Sequence, residues 1–450
     1  MHGAGGSRNN LYSYISGALK ALMTPHLLIQ GGTLIDPETG RTQRADIRIK
    51  HGQITEIGLE LEAEEDPVLK ANGCMVSPGW MDMHVHLREP GQEHKETIES
   101  GCRAAAFGGF TAVACMPNTE PPLDTREAVH SIIDRASGLI VDVYPIACVS
   151  RGRCGSELSE MAELAQSGAV AFSDDGNPVQ NGGLMRRALE YARMLRRPVI
   201  NHMEDLAMGP KGHMNEGIVS TRLGLTPVPA LSEESMIARD LMLAELTGGH
   251  LHVAHVSTAQ GVSLIRQAKS RDVHVTAEAC THHFSLTDEA VEVSGFSAQT
   301  KMHPPLRTAS DVAAIRNGLR DDTLDVICTD HAPHASFEKE VEFNTAPFGI
   351  IGLETAWGLT GTHLIAPGVL TVAAAVHKLC VAPRQILGIS MPKIRIGASA
   401  NLTVFDATTE WAFEARHIYS KSRNTPFIGA RMTGKAWAVY NKGQLVKHAR

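Results

Sequence analysis

Short apolar runs typical of buried β-strands recur along the middle of this chain and alternate with stretches of helical periodicity. The strand-like runs are residues 111–116, 141–146, 170–172, 198–202, 251–256, 273–278 and 324–330. Between them, apolar residues three and four apart, as in 184–195 and 235–246, indicate amphipathic helices. About eight such strand–helix units in roughly 300 residues predict an α/β fold of the TIM (β/α)8 barrel type. A doubly wound sheet is the main competitor, but no glycine-rich phosphate turn follows the first strand.

The residue pattern near both termini differs from that of the middle of the chain: apolar and polar residues alternate with a period of two. Such runs occupy residues 28–32, 47–50, 54–57, 402–406 and 436–443. A period of two, broken by Gly or Asp-Pro, indicates short antiparallel strands. We therefore expect residues 26–78 and 393–450 to form one small composite β-domain and residues 79–392 to form the barrel. Residues 1–25 are expected to be a flexible extension.

The composition argues against several classes of partner. With 42 Lys and Arg against 49 Asp and Glu, the net charge of −7 favours neither a nucleic-acid-binding surface nor a polybasic membrane patch. No run approaches the roughly 18 apolar residues of a membrane span. Residues 1–23 also lack the apolar core of a signal peptide. Eight cysteines without a Cys-x-x-Cys pair predict reduced thiols, so we expect a soluble, cytoplasmic protein.

Polar side chains stand at or just past the carboxyl ends of the predicted strands, where barrel enzymes place their catalytic groups. These residues are His84, His86, Asn118, Asp175, His202, His255 and Asp330. Because the carboxyl ends of all barrel strands open on one face, side chains from distant parts of the chain can meet there. This placement is the first indication of an active site.

The most distinctive pair in this set is His84 and His86. Residues two apart in a strand point to the same side, so both imidazoles can bind one ion from one face. A histidine taken singly is more often a packing or surface residue. The same spacing recurs at His250 and His252, to which we assign no metal. The specificity of the pattern comes from the combination of the first pair with ligands at other strand ends.

The candidate ligands suit two metal ions better than one. Zinc accepts imidazole nitrogen and carboxylate oxygen at about 2.0–2.2 Å, and a catalytic ion keeps one position for water. Four histidines and two aspartates are too many for one tetrahedral ion, but they suit two ions about 3.5–4 Å apart. Water held by such ions loses a proton near neutral pH and becomes a nucleophile. A carboxylate beside it can move the proton.

Motifs with a defined order along the chain support this interpretation. They occupy residues 78–92, 116–119, 172–176, 255–258, 304–307 and 329–334. Together they resemble the dihydroorotase family, long-chain bacterial type, in the amidohydrolase superfamily, from about residue 27 to near the C-terminus. The resemblance implies a two-zinc TIM barrel with a small β-domain. It also implies the reversible cyclisation of N-carbamoyl-L-aspartate to (S)-dihydroorotate in de novo pyrimidine biosynthesis.

The resemblance further implies how the metal ligands are shared. The ligands of the first and second zinc ions would be, respectively, His84, His86 and Asp330, and His202 and His255. Many relatives join the two ions through a carbamylated lysine, but residues 171–176 at the corresponding strand end contain none. An aspartate would therefore bridge the ions. The family's spacing to His202 favours Asp175, with Asp174 as the alternative.

A substrate carboxylate must find specific donors in a chain of net charge −7. Arg88 follows the histidine pair closely, and its planar guanidinium suits a carboxylate. By resemblance, Asn118 and His334 complete that binding site, and Asp330 carries the proton in both directions. His303 stands where relatives usually have asparagine, so we expect it near the substrate ring in a pocket that departs from the family pattern.

Two other functions remain as alternatives. A hydantoinase, dihydropyrimidinase or allantoinase shares the barrel and the metals but normally has the bridging lysine. A non-catalytic partner of aspartate carbamoyltransferase would have lost metal ligands, whereas every candidate ligand is present in this chain. The expected partners are the small-molecule substrates carbamoyl aspartate and dihydroorotate. Two assemblies, a homodimer and a complex with aspartate carbamoyltransferase, stay open.

Overall fold

The computed structural model describes residues 22–209 and 211–448. Its strands are β1 (Leu22–Met23), β2 (Leu27–Ile35), β3 (Thr42–Lys50), β4 (Gln53–Gly58), β5 (Val68–Lys70), β6 (Met75–Pro78), β7 (Trp80–Val85), β8 (Phe110–Cys115), β9 (Asp142–Pro145), β10 (Val199–Asn201), β11 (Met214–Asn215), β12 (Pro227–Val228), β13 (Leu251–Val253), β14 (Val275–Cys280), β15 (Val326–Cys328), β16 (Leu402–Ala412), β17 (Arg431–Asn441) and β18 (Gln444–Lys447). Its α-helices are α1 (Ile98–Gly108), α2 (Arg126–Ala136), α3 (Met161–Gln166), α4 (Gly182–Leu195), α5 (Ile218–Leu223), α6 (Ala230–Thr247), α7 (Ala259–Lys269), α8 (Glu289–Val293), α9 (Ala309–Arg320), α10 (Ser336–Lys339), α11 (Ala356–Thr360), α12 (Val372–Cys380) and α13 (Ala382–Leu387).

Parallel segments of the chain close into a barrel. Strands β7, β8 and β9 pair side by side, and β10, β13, β14 and β15 form a second parallel set. Phe172 joins the two sets through parallel bridges to Ala147 and Val199. A further parallel bridge between Val85 and His331 closes the ring. The predicted TIM-type barrel is therefore confirmed.

The fourth barrel segment is less regular than the sequence predicts. Residues 170–172 were expected to form a strand, but only Phe172 makes ladder bridges. Val170 still donates its N–H to the carbonyl of Pro145, and the carbonyl of Ala171 accepts from Ala147. The chain leaves the barrel wall directly afterwards, which directs residues 173–175 towards its open end.

Helices alternate with the barrel strands and cover their outer surface. Helices α4, α6, α7 and α9 pack in succession, and α6 and α7 also contact β13 and β14. The helices predicted at 184–195 and 235–246 lie within α4 and α6. Asn181 caps the N-terminus of helix α4, and its side chain accepts hydrogen bonds from the first turn. Among residues 22–209 and 211–448, no helix combines the length and apolar character that a membrane crossing requires.

An apolar cluster fills part of the barrel interior and reaches the end opposite the strand carboxyl ends. Met81, Ala112 and Ala114 belong to the interior cluster, together with Ala382 and Leu387 of α13. Beside α12 and α13, residues that precede β13, β14 and β15 line a cavity of about 550 Å³. The eight cysteines, all within the described residues, are free thiols.

Strands from both terminal regions share one antiparallel-rich sheet. Its order is β1-β18-β17-β16-β6-β2-β3-β4, with β5 paired to β2. Strand β6 runs antiparallel to β16, with Pro78 opposite Leu402. The small β-domain formed by both terminal regions is thus confirmed, whereas its bounds at 26–78 and 393–450 stay predictions. Of the expected flexible extension, residues 1–25, the first 21 lie outside the described residues. Within the remainder, Leu22–Met23 form β1, which pairs with β18.

Trp80 connects the barrel with the small β-domain. It is the first residue of β7 and is fully buried. Its ring centroid lies 5.0 Å from that of Phe405 in β16 and 4.8 Å from that of Trp357 in α11. Its indole N–H donates to the Ser77 hydroxyl oxygen at 2.9 Å. The Trp80 side chain therefore contacts residues of β6, β16 and α11, and its one polar group has a hydrogen-bond partner.

We expect Trp80→Ala to lower the free energy of unfolding by about 3–5 kcal/mol, since it leaves a large cavity where the barrel meets the sheet. Urea unfolding followed by circular dichroism measures this loss. The control is Phe337→Ala, which removes an aromatic side chain that is 68% exposed and should cost less than about 0.5 kcal/mol. Equal losses for both variants would show that Trp80 does not hold the two parts together.

Candidate metal centre and substrate pocket

The carboxyl ends of the barrel strands bring the predicted polar ligands into one buried cluster. The ligands, each at most 8% exposed, are His84, His86, Asp175, His202, His255 and Asp330. The first two end or follow β7, and the others follow the fourth barrel segment, β10, β13 and β15 in that order. Residues separated by up to 246 positions in the chain therefore meet at one end of the barrel because its strands are parallel.

Asp175 lies at the centre of this cluster. The distances from its Oδ1 atom are 3.5 Å to His84 Nε2, 3.9 Å to His202 Nδ1 and 3.8 Å to His255 Nε2. Its Oδ2 atom lies 3.6 Å from His86 Nε2. On the other side, Asp330 Oδ1 lies 2.9 Å from His86 Nε2 and 3.5 Å from His84 Nε2. One carboxylate thus faces all the imidazoles, and a second faces the strand β7 pair.

Asp174 is directed elsewhere. Its carboxylate accepts a hydrogen bond from the Ser150 backbone N–H at 3.0 Å and another from the Ser150 hydroxyl. Burial raises the pKa of Asp174, whereas that of Asp175 is held well below its ordinary value. Burial alone would raise the pKa of Asp175 as well, but the charge of His84 and the close approach of the surrounding imidazoles outweigh it. The geometry therefore supports Asp175 as the member of the pair that faces a bound ion.

The chemistry of the cluster fits a metal centre. His84 Nε2 and Asp175 Oδ1 are buried and have no hydrogen-bond partner in the part of the chain that the structure describes. Leaving such an atom unpaired costs about 1–3 kcal/mol, unless a ligand satisfies it. Imidazole nitrogen and carboxylate oxygen are ligands that zinc prefers. Ligand atoms of His84, Asp175 and His255 lie within 4.8 Å of one another, as do those of His84, His86 and Asp330.

Two polar partners orient the β7 imidazoles. His84 Nδ1 lies 2.5 Å from Glu278 Oε1, and His86 Nδ1 lies 2.8 Å from Asn118 Oδ1. Because oxygen accepts at Nδ1, each imidazole presents the lone pair of Nε2 towards the cluster. Burial alone would raise the pKa of Glu278, but the charge of His84, the contact with His252 and the hydrogen bond with His84 lower it well below its ordinary value.

The backbone is strained at three site residues. Arg88, His255 and Asp330 have φ angles of 61°, 32° and 47°, in the left-handed region that favours glycine. Each such residue costs of order 1–3 kcal/mol and persists only where the surroundings hold it. Each lies two or three residues past the end of a barrel strand, where the chain turns away from the barrel wall.

Arg88 supplies a buried positive charge beside the cluster. Its Nε donates to the Pro333 carbonyl at 3.2 Å, and its Nη2 lies 3.5 Å from His334 Nε2. No carboxylate oxygen within residues 22–209 and 211–448 lies within 4.0 Å of the guanidinium. Burial lowers the pKa of Arg88 to about 10, which leaves it charged at neutral pH. A buried cation without a carboxylate partner is suited to an anionic ligand.

His303 lies beside the second pair of imidazoles. Its ring stacks on that of His202, with centroids 4.8 Å apart and planes at 13°. Its Nε2 lies 2.5 Å from Glu204 Oε2, which is also 3.6 Å from His202 Nε2. The pKa of Glu204 is lowered well below its ordinary value, since the close contacts with both histidines outweigh the effect of burial. His303 is thus held at the rim of the site by a carboxylate.

Sequence reasoning did not find Glu278 or Glu204. Glu278 ends a predicted strand, and Glu204 follows His202 by two positions, so each carried a weak positional signal. Their partners lie 194 and 99 positions away, respectively, at His84 and His303. A pattern in one sequence reports periodicity along the chain and does not report such pairings.

Known proteins match this chain in both sequence and fold. Residues 73–261 match the family described as Dihydro-orotase-like. A dihydroorotase from Pelotomaculum thermopropionicum is 52% identical over 426 residues, which are 94% of this chain and 99% of that protein. A dihydroorotase from Pelobacter propionicus is 50% identical over 424 residues, with coverage of 94% and 99%.

Solved structures of low sequence identity share the fold. An L-hydantoinase (dihydropyrimidinase) from Arthrobacter aurescens has a TM-score of 0.82 at 24% identity, covering 94% of this chain and 96% of that chain. A D-hydantoinase has a TM-score of 0.81 at 24% identity, covering 94% and 95%. These likenesses concern the barrel and its β-domain. Because relatives with about half of their residues identical match it over nearly its whole length, this chain belongs to the dihydroorotase family.

Proposed function

We propose that this protein is a dihydroorotase, a cyclic amidohydrolase that interconverts N-carbamoyl-L-aspartate and (S)-dihydroorotate plus water in de novo pyrimidine biosynthesis. One observation carries the choice of substrate. The metal-ligand cluster lies beside Arg88, which is buried and has no carboxylate within 4.0 Å among the described side chains. Dihydroorotate offers a cyclic amide to the cluster and a free carboxylate to the guanidinium. An uncharged hydantoin would leave that buried charge without a partner.

The proposed centre holds two zinc ions per subunit. The residues that would hold the ions are His84, His86 and Asp330 for one, His202 and His255 for the other, and Asp175 between them. Two ions are proposed because this donor set exceeds the needs of one tetrahedral zinc. When bound, the ions supply a Lewis acid for the ring carbonyl and make water a nucleophile at neutral pH.

Asp330 is the proposed proton carrier. In ring opening its carboxylate takes a proton from the attacking water and gives it to the ring nitrogen as the C–N bond breaks. In ring closure the same carboxylate takes a proton from the carbamoyl nitrogen. Burial alone would raise the pKa of Asp330, but the charge of His84 and the hydrogen bond with His86 lower it. The carboxylate is therefore ionised and ready to accept a proton.

The substrate carboxylate is proposed to lie between Arg88, Asn118 and His334. Asn118 accepts from His86 through Oδ1, so its amide N–H groups remain for the substrate. His334 is fixed by the Phe348 carbonyl, 2.7 Å from its Nε2. Burial lowers the pKa of His334 to about 2, so the imidazole is neutral and lies beside Arg88 without adding charge. His303 is proposed to contact the ring of the substrate.

We expect the purified protein to contain close to two zinc equivalents and to open dihydroorotate. A chelator should abolish turnover, and added zinc should restore it. Metal analysis and the loss of dihydroorotate absorbance measure both effects. Hydantoin and allantoin, assayed side by side, serve as control substrates. No turnover of dihydroorotate by zinc-loaded protein, or faster turnover of hydantoin, would reject the proposal.

The cellular compartment and the oligomeric assembly of the enzyme are also proposals. The free thiols support a reducing compartment, the cytoplasm. A homodimer and a complex with aspartate carbamoyltransferase are the two assemblies to be compared. Light scattering of the protein alone and after mixing with that transferase distinguishes them.

A further inference from the structure

A line of polar contacts descends from the metal-ligand cluster into the barrel interior. Glu278 Oε1 lies 2.5 Å from His84 Nδ1 and accepts a hydrogen bond from the His255 backbone N–H at 3.2 Å. Glu278 Oε2 lies 3.3 Å from His252 Nε2. Glu278, His84 and His252 are all fully buried. One carboxylate therefore supports two candidate metal ligands from below.

The line continues to the opposite end of the barrel. Thr276 Oγ1 lies 2.8 Å from His252 Nδ1 and 2.8 Å from His250 Nε2. The His250 ring stacks on that of His274, with centroids 4.1 Å apart. His250, His274 and Thr276 line the cavity of about 550 Å³ at the amino ends of the strands. The contacts thus span the barrel from one end to the other.

The two carboxylate oxygens of Glu278 have different partners. Oε1 makes a short hydrogen bond with His84 Nδ1, and because an ionised carboxylate only accepts, His84 Nδ1–H is the donor. Oε2 and His252 Nε2 lie 3.3 Å apart without hydrogen-bond geometry, and neither atom has a hydrogen-bond partner among the described residues. His252 is fixed at Nδ1 by the Thr276 hydroxyl, and its ring packs against the carboxylate from below.

Glu278 is an unusual residue for this place. TIM-barrel interiors are filled mainly by branched apolar side chains. Its ionisable partners within 4.0 Å, among the described residues, are the imidazoles of His84 and His252, with no lysine or arginine. A buried carboxylate lacking a cationic partner is costly. A positive metal centre directly above it would supply the missing charge.

We infer that Glu278 is a positioning residue of the metal centre, and that the His252 ring, fixed by Thr276, supports its carboxylate from below by close contact. By accepting His84 Nδ1–H, Glu278 keeps the Nε2 lone pair directed at the ion. This inference rests on the proposed function only in that the cluster binds metal.

The test compares Glu278→Gln with wild type in zinc affinity, measured by competition with a chromophoric chelator, and in the visible spectrum of the cobalt-substituted protein. Removing the charge should weaken zinc binding by about 10- to 100-fold and shift the cobalt bands. The unfolding temperature of the metal-free variant should stay close to that of wild type. Wild-type affinity with an unchanged spectrum would overturn the inference.

A second pair of variants keeps the test decisive if Glu278→Gln does not fold. Thr276→Val removes the hydroxyl while keeping the shape of the side chain, and Thr276→Ser keeps the hydroxyl. We expect several-fold weaker zinc binding for the first and wild-type binding for the second. Equal zinc affinity in both would overturn the role of the contacts below Glu278. Because both readouts need no substrate, they are independent of whether dihydroorotate is the substrate.

Discussion

Asp330→Asn should lower kcat for dihydroorotate by roughly 10²–10⁴-fold, the usual contribution of a positioned general acid–base. An amide cannot take the proton from water or return it to the ring nitrogen. The amide oxygen still faces His86 and His84, and the remaining imidazoles and Asp175 are untouched, so much of the zinc should stay bound. Steady-state kinetics together with metal analysis measure the two quantities separately.

Asp174→Asn is the matched control for that experiment. The carboxylate of Asp174 accepts from Ser150 and lies outside the imidazole cluster, so the variant should keep its zinc and most of its rate. The Asp174 variant also tests whether that residue, and not Asp175, holds the ions. A wild-type rate for Asp330→Asn would reject Asp330 as the proton carrier. Loss of zinc in Asp174→Asn would show that Asp174 is a metal ligand.

Arg88→Met should lower kcat/KM for dihydroorotate by about 10²–10³-fold, mostly through a higher KM. Truncating one partner of a buried charge pair costs about 2–5 kcal/mol. Each 1.4 kcal/mol corresponds to a factor of about ten. Methionine keeps much of the apolar stem and removes the guanidinium that burial leaves charged, with its pKa lowered only to about 10. Initial rates over a range of dihydroorotate concentrations separate KM from kcat.

The control for Arg88→Met is a change of substrate. An uncharged hydantoin has no carboxylate for the guanidinium, so any slow hydantoin turnover should change little in the variant. Arg88→Lys keeps the charge but lacks the planar fork, and should recover part of the dihydroorotate rate. Equal losses for the two substrates would show that Arg88 acts on the centre itself and not on the substrate carboxylate.

The barrel could be predicted from sequence because its strands are nearly continuous apolar runs and its helices have a clear period. The same regularity placed the candidate ligands, since strand ends in a parallel barrel share one face. The fourth segment was harder to predict. Its composition suits a strand, but the chain turns away after Phe172, and composition does not report where pairing stops.

Contacts between residues distant in the chain could not be predicted from the sequence. Two adjacent aspartates have the same chemistry, so the sequence favoured Asp175 by family spacing alone, whereas the hydrogen bonds from Ser150 show directly that Asp174 is directed elsewhere. Glu278 lies on a strand whose alternation suits a buried residue, yet its partner His84 comes 194 positions earlier. The substitution at His303 was visible in the sequence, but its attachment to Glu204 required the fold.

The shared sheet of the β-domain also sets an order of events during synthesis on the ribosome. Strand β6 emerges early, but its partner β16 follows only after the whole barrel has been translated. Until then the backbone groups on one edge of β6 have no partner, beside apolar side chains such as Val76 and Leu27 that the finished domain buries. An open apolar edge is a template for pairing with another chain. We therefore expect the nascent protein to be most prone to aggregation before β16 is synthesised. The β-domain can complete its folding only when the last strands have been made.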